Sequence, residues 1–569
     1  MKRIIKTLCA SLLIISLCFS MSGCFVLQLI FGNAFSTEFT LTEYDVQKFE
    51  AAAEKFENGV LEGKNVFLLS RWASDFSNEF YHIYTQYLIA YVNYCKDTKD
   101  AKALSDYEYA VGAYSKAGNL YNETLKNLLN SDSDYAAMIF ENWSELDKQL
   151  LLNNNARAYE LSQKNESLLI EYRALDIESE TWVDNVNAIY LELLTNRSEI
   201  AKEYGYSNYY DYASEVENQR SYSSEDREAL RGYVREYIVP FFKSSLSKLE
   251  ALLEESDEAT VSEFRSLMRA DYLESAAVQR LISDYLDSFM LTDTNGFYSG
   301  IGYHMEWMLD APGRAVFANG ENSYPGAFTT YLFDYSEPIA FFGPGYHNML
   351  TVVHEMGHYG AFSRHGIGAP IDFCEVHSQT NEWLFVAFLE DELSPEVHEL
   401  IELSRLVEGL ERIILSVAVD ECEERLYTSG VQSIEDISSI VSEVASLYGE
   451  DISEKLQLEK YFRLVAPENP VYYLNYAVSE IVSMGNYVDA TEDLAKAQSD
   501  YDDFIYDSYD PEITKLGLRD AFEEETYEAL TDTFSGEDGA DNGDGEDTDG
   551  KTDGGTLVYL FDGELMPAA

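Results

Sequence analysis

The chain has 569 residues, of which 102 are acidic and 39 are basic, so its formal net charge is -63 at pH 7. A charge of this sign and size argues against nucleic acid and anionic lipid headgroups as binding partners. The negative charge favours solubility, and the length is sufficient for a large buried core.

The N-terminal segment has the pattern of a secretory signal. Three basic side chains among the first six residues precede an apolar run over residues 8–19, which is too short for a permanent membrane-spanning helix. The run ends in Met21-Ser22-Gly23-Cys24, which resembles the lipobox of bacterial lipoproteins. The resemblance implies that residues 1–23 are a signal peptide and that Cys24 is lipidated. Residues 24–42 are predicted to be a membrane-proximal tether; the alternative for the rather apolar residues 25–36 is the first turn of the body. We therefore expect the protein at the extracellular face of a bacterial membrane; the alternative is ordinary secretion, with Cys24 merely beside the cleavage point.

Cysteine usage argues against a disulfide framework. If Cys24 carries lipid, three cysteines remain beyond the signal peptide, and an odd number cannot all pair: Cys95, Cys374 and Cys422. We predict a body of roughly 500 residues that is held together by burial, as one large unit or two lobes.

Residues 43–534 are predicted to form one mostly helical domain. Apolar residues recur at three- and four-residue spacing from about residue 43 to 290, where Pro240 is the only proline and predicts a kink or break. Residues 311–346 differ, because prolines and glycines punctuate two strand candidates, Ala327–Phe333 and Ile339–Phe342. Helical patterning then resumes at Asn348. Residues 535–569 are mostly glycine and acidic side chains and are predicted to be a disordered tail.

The most informative segment is His354-Glu355-Met356-Gly357-His358. Two histidines four residues apart project from one face of a helix and can bind one zinc ion together. Glu355 leaves the helix at another angle, toward a water molecule in the open coordination position, where it can act as the general base. The alternative, two histidines packed on a buried helix face, requires that the motif arose by chance.

A catalytic zinc ion needs a third protein ligand, and several acidic residues follow the motif. We predict Glu375, which lies seventeen residues beyond His358, after a break marked by glycine and proline and at the start of the next helical pattern. Glu382 is seven residues further along the same helical face, where it can accept a hydrogen bond from the far nitrogen of a ligand histidine. The alternatives are a helix N-terminal acid for Glu375 and a structural or solvated role for Glu382.

Three segments resemble the thimet oligopeptidase and oligoendopeptidase F family of zinc peptidases. Residues 373–383, Phe-Cys-Glu-Val-His-Ser-Gln-Thr-Asn-Glu-Trp, are similar to the family's third-ligand helix. Residues 201–212 resemble a helix–turn segment upstream of the metal, and residues 325–328 resemble the start of an edge strand. The resemblance implies a large helical ellipsoid with a deep substrate channel, a small sheet beside the zinc helix, and Glu375 as the third ligand.

The same resemblance implies a role for tyrosines in the segment 470–480. In the family, tyrosines near the metal stabilise the oxyanion that forms on the peptide carbonyl, and here Tyr476 and Tyr472 match best. Either tyrosine can instead be part of the core or the channel wall. The family also places a histidine ahead of these tyrosines, and residues 463–469 contain none.

Together these features predict an endo-oligopeptidase that binds one zinc ion, acts on short peptides and is anchored in the membrane through Cys24. The alternative is a surface lipoprotein that binds peptides and has a vestigial metallopeptidase site, which the missing histidine favours. An exopeptidase would need a group that captures a chain terminus, and the sequence identifies none. Cobalt or manganese in place of zinc also stays open.

Overall fold

A computed structural model describes residues 39–153, 156–292, 300–366, 371–507 and 518–535. Over these residues the protein is mostly helical with a single small sheet, which confirms the predicted fold class. Cys24, the predicted signal peptide and most of the predicted tether and tail lie outside the described ranges. Within those ranges no helix is both long and apolar enough to cross a membrane.

The first of two compact units contains the described residues of 1–154, 307–344 and 365–367. Its helices are α1 (Val46–Leu61), α2 (Val66–Lys96), α3 (Ala101–Leu129), α4 (Asp134–Ile139) and α5 (Glu145–Asn153). The first three begin after Asp45, Asn65 and Asp100, whose side chains accept hydrogen bonds from backbone N–H groups of the first turn. Buried aromatic and aliphatic side chains of these helices form the core of the unit.

The sheet belongs to this first unit and has the strand order β1-β3-β2. Its strands are β1 (Ala315–Phe317), β2 (Ala327–Leu332) and β3 (Glu337–Phe342), and β3 runs parallel to β1 and antiparallel to β2. The two predicted strands are present, whereas β1 is too short to give a pattern in the sequence. The central strand tolerates Pro338 because β1 pairs only with residues 340–342.

The second unit contains the described residues of 155–306, 345–364 and 368–569. Its first helices are α6 (Ala156–Arg173), α7 (Trp182–Glu203), α8 (Tyr209–Tyr212), α9 (Ser224–Tyr233), α10 (Val239–Glu255), α11 (Glu258–Met268), α12 (Ala276–Thr292) and α13 (Ile301–Asp310), the last of which ends in the first unit. The later ones are α14 (Met349–His365), α15 (Ile371–Glu392), α16 (Pro395–Thr428), α17 (Ile434–Leu447), α18 (Glu450–Lys455), α19 (Leu458–Val465), α20 (Leu474–Glu492), α21 (Leu494–Asp507) and α22 (Glu524–Ser535).

The predicted break near Pro240 takes the form of a π-helical turn over Val234–Ile238. The backbone N–H of Val239 donates to the carbonyl of Val234, five residues earlier. Proline has no N–H to continue the α-helical ladder, so the hydrogen-bond pattern changes at this point while the chain direction is kept. A second π-helical turn covers Ala213–Glu217.

Helices α15, α16 and α20 pack together in the second unit. Trp383 on α15, Leu410 on α16 and Ile481 on α20 are fully buried there. Both α15 and α16 are buried around much of their circumference, by polar as well as apolar side chains. The same packing also buries several charged side chains, among them Glu382, Arg405 and Glu480.

Candidate metal centre

Helix α14 presents His354 and His358 on one face. Their ring centroids lie 5.0 Å apart and the ring planes are nearly perpendicular, at 80°. The residues between them are buried, as are Val352 and Val353 before them. The motif therefore lies on a helix that is fixed by packing, as the sequence predicted.

Helix α15 approaches α14 very closely at Gly357, inside the motif. A Cβ atom at this position would lie 2.4 Å from the carbonyl oxygen of His377 and 2.9 Å from the Cα of Ser378. The side-chain amide of Asn381 also donates to the carbonyl of Val353 over 2.6 Å. Glycine is therefore required where it stands, because any side chain would collide with the backbone of α15.

This close approach brings Glu375 of α15 to both histidines. Its Oε2 lies 3.6 Å from Nε2 of His354 and 3.7 Å from Nε2 of His358. Ligand atoms on a tetrahedral zinc ion, at bond lengths of about 2.0–2.1 Å, are about 3.4 Å from one another. Among the described residues this is the one cluster of three or more histidine, cysteine or acidic side chains that could hold a metal ion. Two imidazoles and one carboxylate are a donor set that fits zinc.

The carboxylate of Glu375 is buried and has a hydrogen-bond donor of its own. Ser378 donates its hydroxyl to Oε2 over 3.1 Å and to the backbone carbonyl of Glu375 over 3.0 Å. Burial raises the pKa of Glu375, and the neighbouring His354 works against this rise. A buried carboxylate beside two imidazoles is stabilised by a positive charge between them.

Glu355 is buried next to the histidines, with 3% of its surface exposed. Its negative charge is one of the influences that raise the pKa of His354, so the two side chains lie within electrostatic reach of each other. Its backbone position, one residue after the first histidine, directs its side chain away from the face that carries both imidazoles.

The second nitrogen of His354 faces Glu382, as the sequence predicted. Nδ1 of His354 and Oε1 of Glu382 are 2.6 Å apart. Burial alone would lower the pKa of His354, but the hydrogen bond and charge of Glu382 raise it to about 9. For His358, burial and the charge of His354 lower the pKa well below the usual range. A proton on Nδ1 of His354 leaves the Nε2 lone pair directed at the cluster.

Glu382 belongs to a buried ionic network that the sequence did not reveal. Nε of Arg405 donates to Oε2 of Glu382 over 3.0 Å, and Nη2 donates to Oε2 of Glu480 over 3.1 Å. Nη1 of Arg405 lies 2.8 Å from Oε1 of Glu480, at ion-pair distance. Arg412 donates to Glu480 over 2.7 Å and the indole N–H of Trp383 donates over 2.8 Å. Burial raises the pKa of Glu382, but Arg405 and His354 outweigh it and lower the pKa to about 2.

In this network Arg405 and Arg412 face the carboxylates of Glu382 and Glu480, and Arg412 also donates to Glu408 over 3.1 Å. Arg405 and Glu480 are fully buried, and Gly409 leaves the space in which they meet. Ionised groups are tolerated in a core when they are paired with opposite charges. The network holds Glu382 in place, and Glu382 in turn holds the ring of His354.

The tyrosines predicted from the resemblance lie together at the start of α20. The ring centroids of Tyr472 and Tyr476 are 5.6 Å apart, and both side chains are half-buried in a segment that is otherwise mostly buried. Burial raises the pKa of both hydroxyls above the usual value, and the charge of Glu375 contributes to the rise in each case. Both phenols are therefore protonated hydrogen-bond donors within electrostatic reach of the third candidate ligand.

The structure thus brings together His354, His358, Glu375 and Glu382, with the two tyrosines nearby, whereas Cys24 lies outside the described residues. Sequence reasoning missed Gly357 and Asn381, which set the helix spacing, and the two arginines behind Glu382. The glycine inside the motif, Gly357, could have indicated a close approach of another helix. The pairing of Arg405 with Glu480, which is 75 residues away, had no signal in one sequence.

No protein-family model and no curated protein matches the sequence. Solved structures do match. The chain aligns with PZ peptidase A at a TM-score of 0.67 and 16% identity, over 87% of this chain and 98% of that one. An oligoendopeptidase F from Enterococcus faecium aligns at a TM-score of 0.51 and 15% identity, over 86% of this chain and 95% of that one. A Bacillus anthracis strain Ames protein described as an oligoendopeptidase F aligns at a TM-score of 0.65 and 16% identity, over 88% of this chain and 97% of that one.

These alignments cover nearly the whole length of each solved chain. Our protein therefore has the fold of the oligoendopeptidase F structures, and the predicted resemblance is confirmed at the level of the fold. At 15–16% identity the likeness carries the fold alone.

Proposed function

We propose that this protein is a zinc-dependent endo-oligopeptidase that hydrolyses short peptides. The observation that carries the proposal is the cluster of His354, His358 and Glu375, whose ligand atoms all lie within 4.8 Å of one another. Glu355 is buried beside it, and the fold is that of structures described as oligoendopeptidases. The substrate class is taken from those descriptions.

The three ligands would hold one zinc ion, which in such sites polarises a carbonyl group and lowers the pKa of a water molecule. Glu355 accepts the proton of the attacking water and then passes it to the leaving amine. Glu382 keeps the ring of His354 in one tautomer and one orientation through the 2.6 Å hydrogen bond.

Tyr476 and Tyr472 would serve as donors to the carbonyl oxygen as negative charge develops on it. Their raised pKa values keep both hydroxyls protonated at neutral pH, which an oxyanion donor requires. Donors fixed in a partly buried site need no reorganisation during the reaction, so their contribution is larger than it would be in water.

The test is the turnover of a pool of quenched peptides of roughly five to fifteen residues, a size suited to an enclosed site. Wild-type protein, chelator-treated protein and the Glu355→Gln variant are assayed together, and the variant's metal content is measured. We expect hydrolysis by the wild type alone, with metal retained in Glu355→Gln. A metal-loaded wild type that cleaves no peptide would overturn the proposal.

The second candidate is a surface protein that binds peptides without cleaving them. It is favoured by the absence of a histidine in residues 463–469, and it is opposed by the complete donor set with Glu355 beside it. Peptide binding measured by fluorescence anisotropy, with no hydrolysis by the metal-loaded protein, would identify this second function.

We further propose that the protein is a lipoprotein of the bacterial cell surface, anchored through Cys24. The support is the basic start, the apolar run and the sequence Met21-Ser22-Gly23-Cys24. Feeding cells an alkyne-tagged fatty acid should label the wild-type protein and not the Cys24→Ser variant. Unlabelled wild-type protein in the culture medium would instead indicate ordinary secretion.

A further inference from the structure

Arg220 connects α15, the helix that carries Glu375, to the segment that carries Tyr472 and Tyr476. We propose that it is a positioning residue for the reaction. Arg220 would fix Tyr472 and Tyr476 in place relative to Glu375, so that their hydroxyls can act on the developing oxyanion. This inference rests on the proposed peptidase function and adds a residue to its machinery.

The guanidinium of Arg220 is almost completely buried, with 1% of its side chain exposed. Nη1 donates to the carbonyl of Val471 over 2.6 Å, and Nη2 donates to the carbonyl of Tyr472 over 2.9 Å. Nε lies 3.3 Å from Oδ1 of Asp372. Three separate nitrogen atoms thus contact two different segments, which only a rigid, planar guanidinium can do at once.

Those two segments are the ones that matter for the proposed reaction. Asp372 is on the first turn of α15, three residues before Glu375. Tyr472 directly follows Val471 and lies just before α20, which begins at Leu474. Arg220 is therefore a short bridge between the helix of the third ligand and the backbone of the first tyrosine.

The backbone that Arg220 holds is in an unfavourable conformation. Val471 has a φ of 58°, in the left-handed region that a β-branched residue rarely adopts. Its carbonyl also accepts from the side-chain amide of Asn218 over 2.8 Å, and its N–H donates to Glu423 over 2.9 Å. Both backbone polar groups of Val471 are thus held by buried side chains, which stabilise this conformation.

Arg220 is itself held in position by its own backbone. It follows the π-helical turn over Ala213–Glu217, and its N–H donates to the carbonyl of Ser214 over 2.9 Å. Gln219, just before it, has a φ of 54°. The tight turn places Asn218 and Arg220 against the same carbonyl, that of Val471.

The kinetic test compares Arg220→Lys and Arg220→Met with Arg463→Lys. Arg463 is an equally buried arginine of the same unit, and it bonds Asn187 and the carbonyl of Glu459 rather than the tyrosine segment. Misplacement of a donor by about an ångström costs up to about 100-fold in rate. For zinc-loaded protein we expect both Arg220 variants to lose about 10- to 100-fold in kcat with KM changed less than about twofold. Arg463→Lys should keep its kcat.

A combined variant distinguishes positioning from a general loss of structure. If Arg220 acts through the tyrosine hydroxyls, adding Arg220→Met to the Tyr472→Phe/Tyr476→Phe variant should cause little further loss of kcat. Losses that multiply, or an unchanged kcat in the Arg220 variants, would overturn the proposal.

Hydrogen–deuterium exchange supplies a readout that does not depend on activity. In Arg220→Met the backbone amides of residues 471–477 should exchange faster, while those of residues 350–365 on α14 stay as in the wild type. A wild type that hydrolyses no peptide would refute the proposed function, and the exchange result would still decide whether Arg220 holds this segment. Unchanged exchange in residues 471–477 would refute that role.

Discussion

Nδ1 of His354 and Oε1 of Glu382 lie 2.6 Å apart, while Nε2 of the same imidazole faces Glu375. Each nitrogen of the ring therefore has a carboxylate partner, one that orients it and one with which it would share a metal ion. Arg405 fixes the orienting carboxylate from the other side, over 3.0 Å. This arrangement is typical of a histidine that is prepared as a metal ligand, because the outer hydrogen bond determines its tautomer.

The Glu382→Gln variant should bind zinc about 10- to 100-fold more weakly than the wild type, since an outer carboxylate tunes the basicity and orientation of its histidine. Zinc affinity is measured by competition with a chromophoric chelator. The matched control is Glu402→Gln, which removes a half-buried carboxylate of the same unit that accepts a hydrogen bond from Tyr487. Equal affinities for wild type and Glu382→Gln would contradict the role given to Glu382.

The Gly357→Ala variant should be destabilised by about 1–3 kcal/mol and should lose zinc affinity, because the added methyl group would push α15 away from α14. The backbone atoms it meets, at 2.4 and 2.9 Å, cannot rotate aside. Gly232→Ala is the matched control: it is also a helical glycine of the second unit, and nothing lies within 4 Å of the added Cβ. It should gain about 0.5–1 kcal/mol. Urea unfolding and zinc titration measure both, and a Gly357→Ala protein as stable as Gly232→Ala would refute this explanation.

The grouping of the candidate ligands could be predicted because its geometry is local or follows one helix. His354 and His358 are four residues apart on α14, and Glu375 and Glu382 are seven apart on α15, so spacing alone places each pair on one face. The prediction that these two helices meet rested on the break between them and on the family resemblance. The glycine at their closest approach was present in the motif, but its role depends on the backbone of α15.

The Tyr476→Phe variant should lower kcat by about 100- to 1,000-fold with little change in KM, because it removes one donor to an oxyanion that exists only in the transition state. Tyr473→Phe is the matched control, since Tyr473 is a buried neighbour whose hydroxyl is paired with Asn469. Steady-state kinetics on one quenched peptide give both constants. A kcat that falls equally in both variants would indicate that the segment is only structural.

Glu423 should make the stability of the protein depend on pH. Burial raises the pKa of its carboxyl group to about 8 in the folded state, from an ordinary value of 4.5. Between these two values the folded protein binds more protons than the unfolded chain, so stability falls as pH rises, by at most about 1.4 kcal/mol per pH unit. Below the ordinary value, and above the folded-state value, this residue adds no slope.

Unfolding in urea between pH 5 and pH 9 tests this expectation. The difference in free energy of unfolding, Glu423→Gln minus wild type, should increase steadily as pH rises. It should level off near the folded-state pKa of about 8. Wild type and variant with parallel profiles would mean that Glu423 is ionised in the folded protein throughout this range.

The parts of the site that escaped prediction are held by contacts between distant segments. Arg405 meets Glu480 across 75 residues, and Arg220 meets the carbonyl of Tyr472 across 252. No periodicity links such positions, and a buried arginine looks like a surface arginine in the sequence. The left-handed conformation at Val471 was equally unpredictable, because valine is the kind of residue that this region disfavours.

The most direct test is a zinc titration of metal-free protein, with hydrolysis of a quenched peptide followed at each step. If His354, His358 and Glu375 form one catalytic zinc site, activity should rise linearly and stop rising at one equivalent, while Glu375→Gln should gain none. Hydrolysis by the metal-free protein, or no hydrolysis at any amount of bound zinc, would contradict the proposed function.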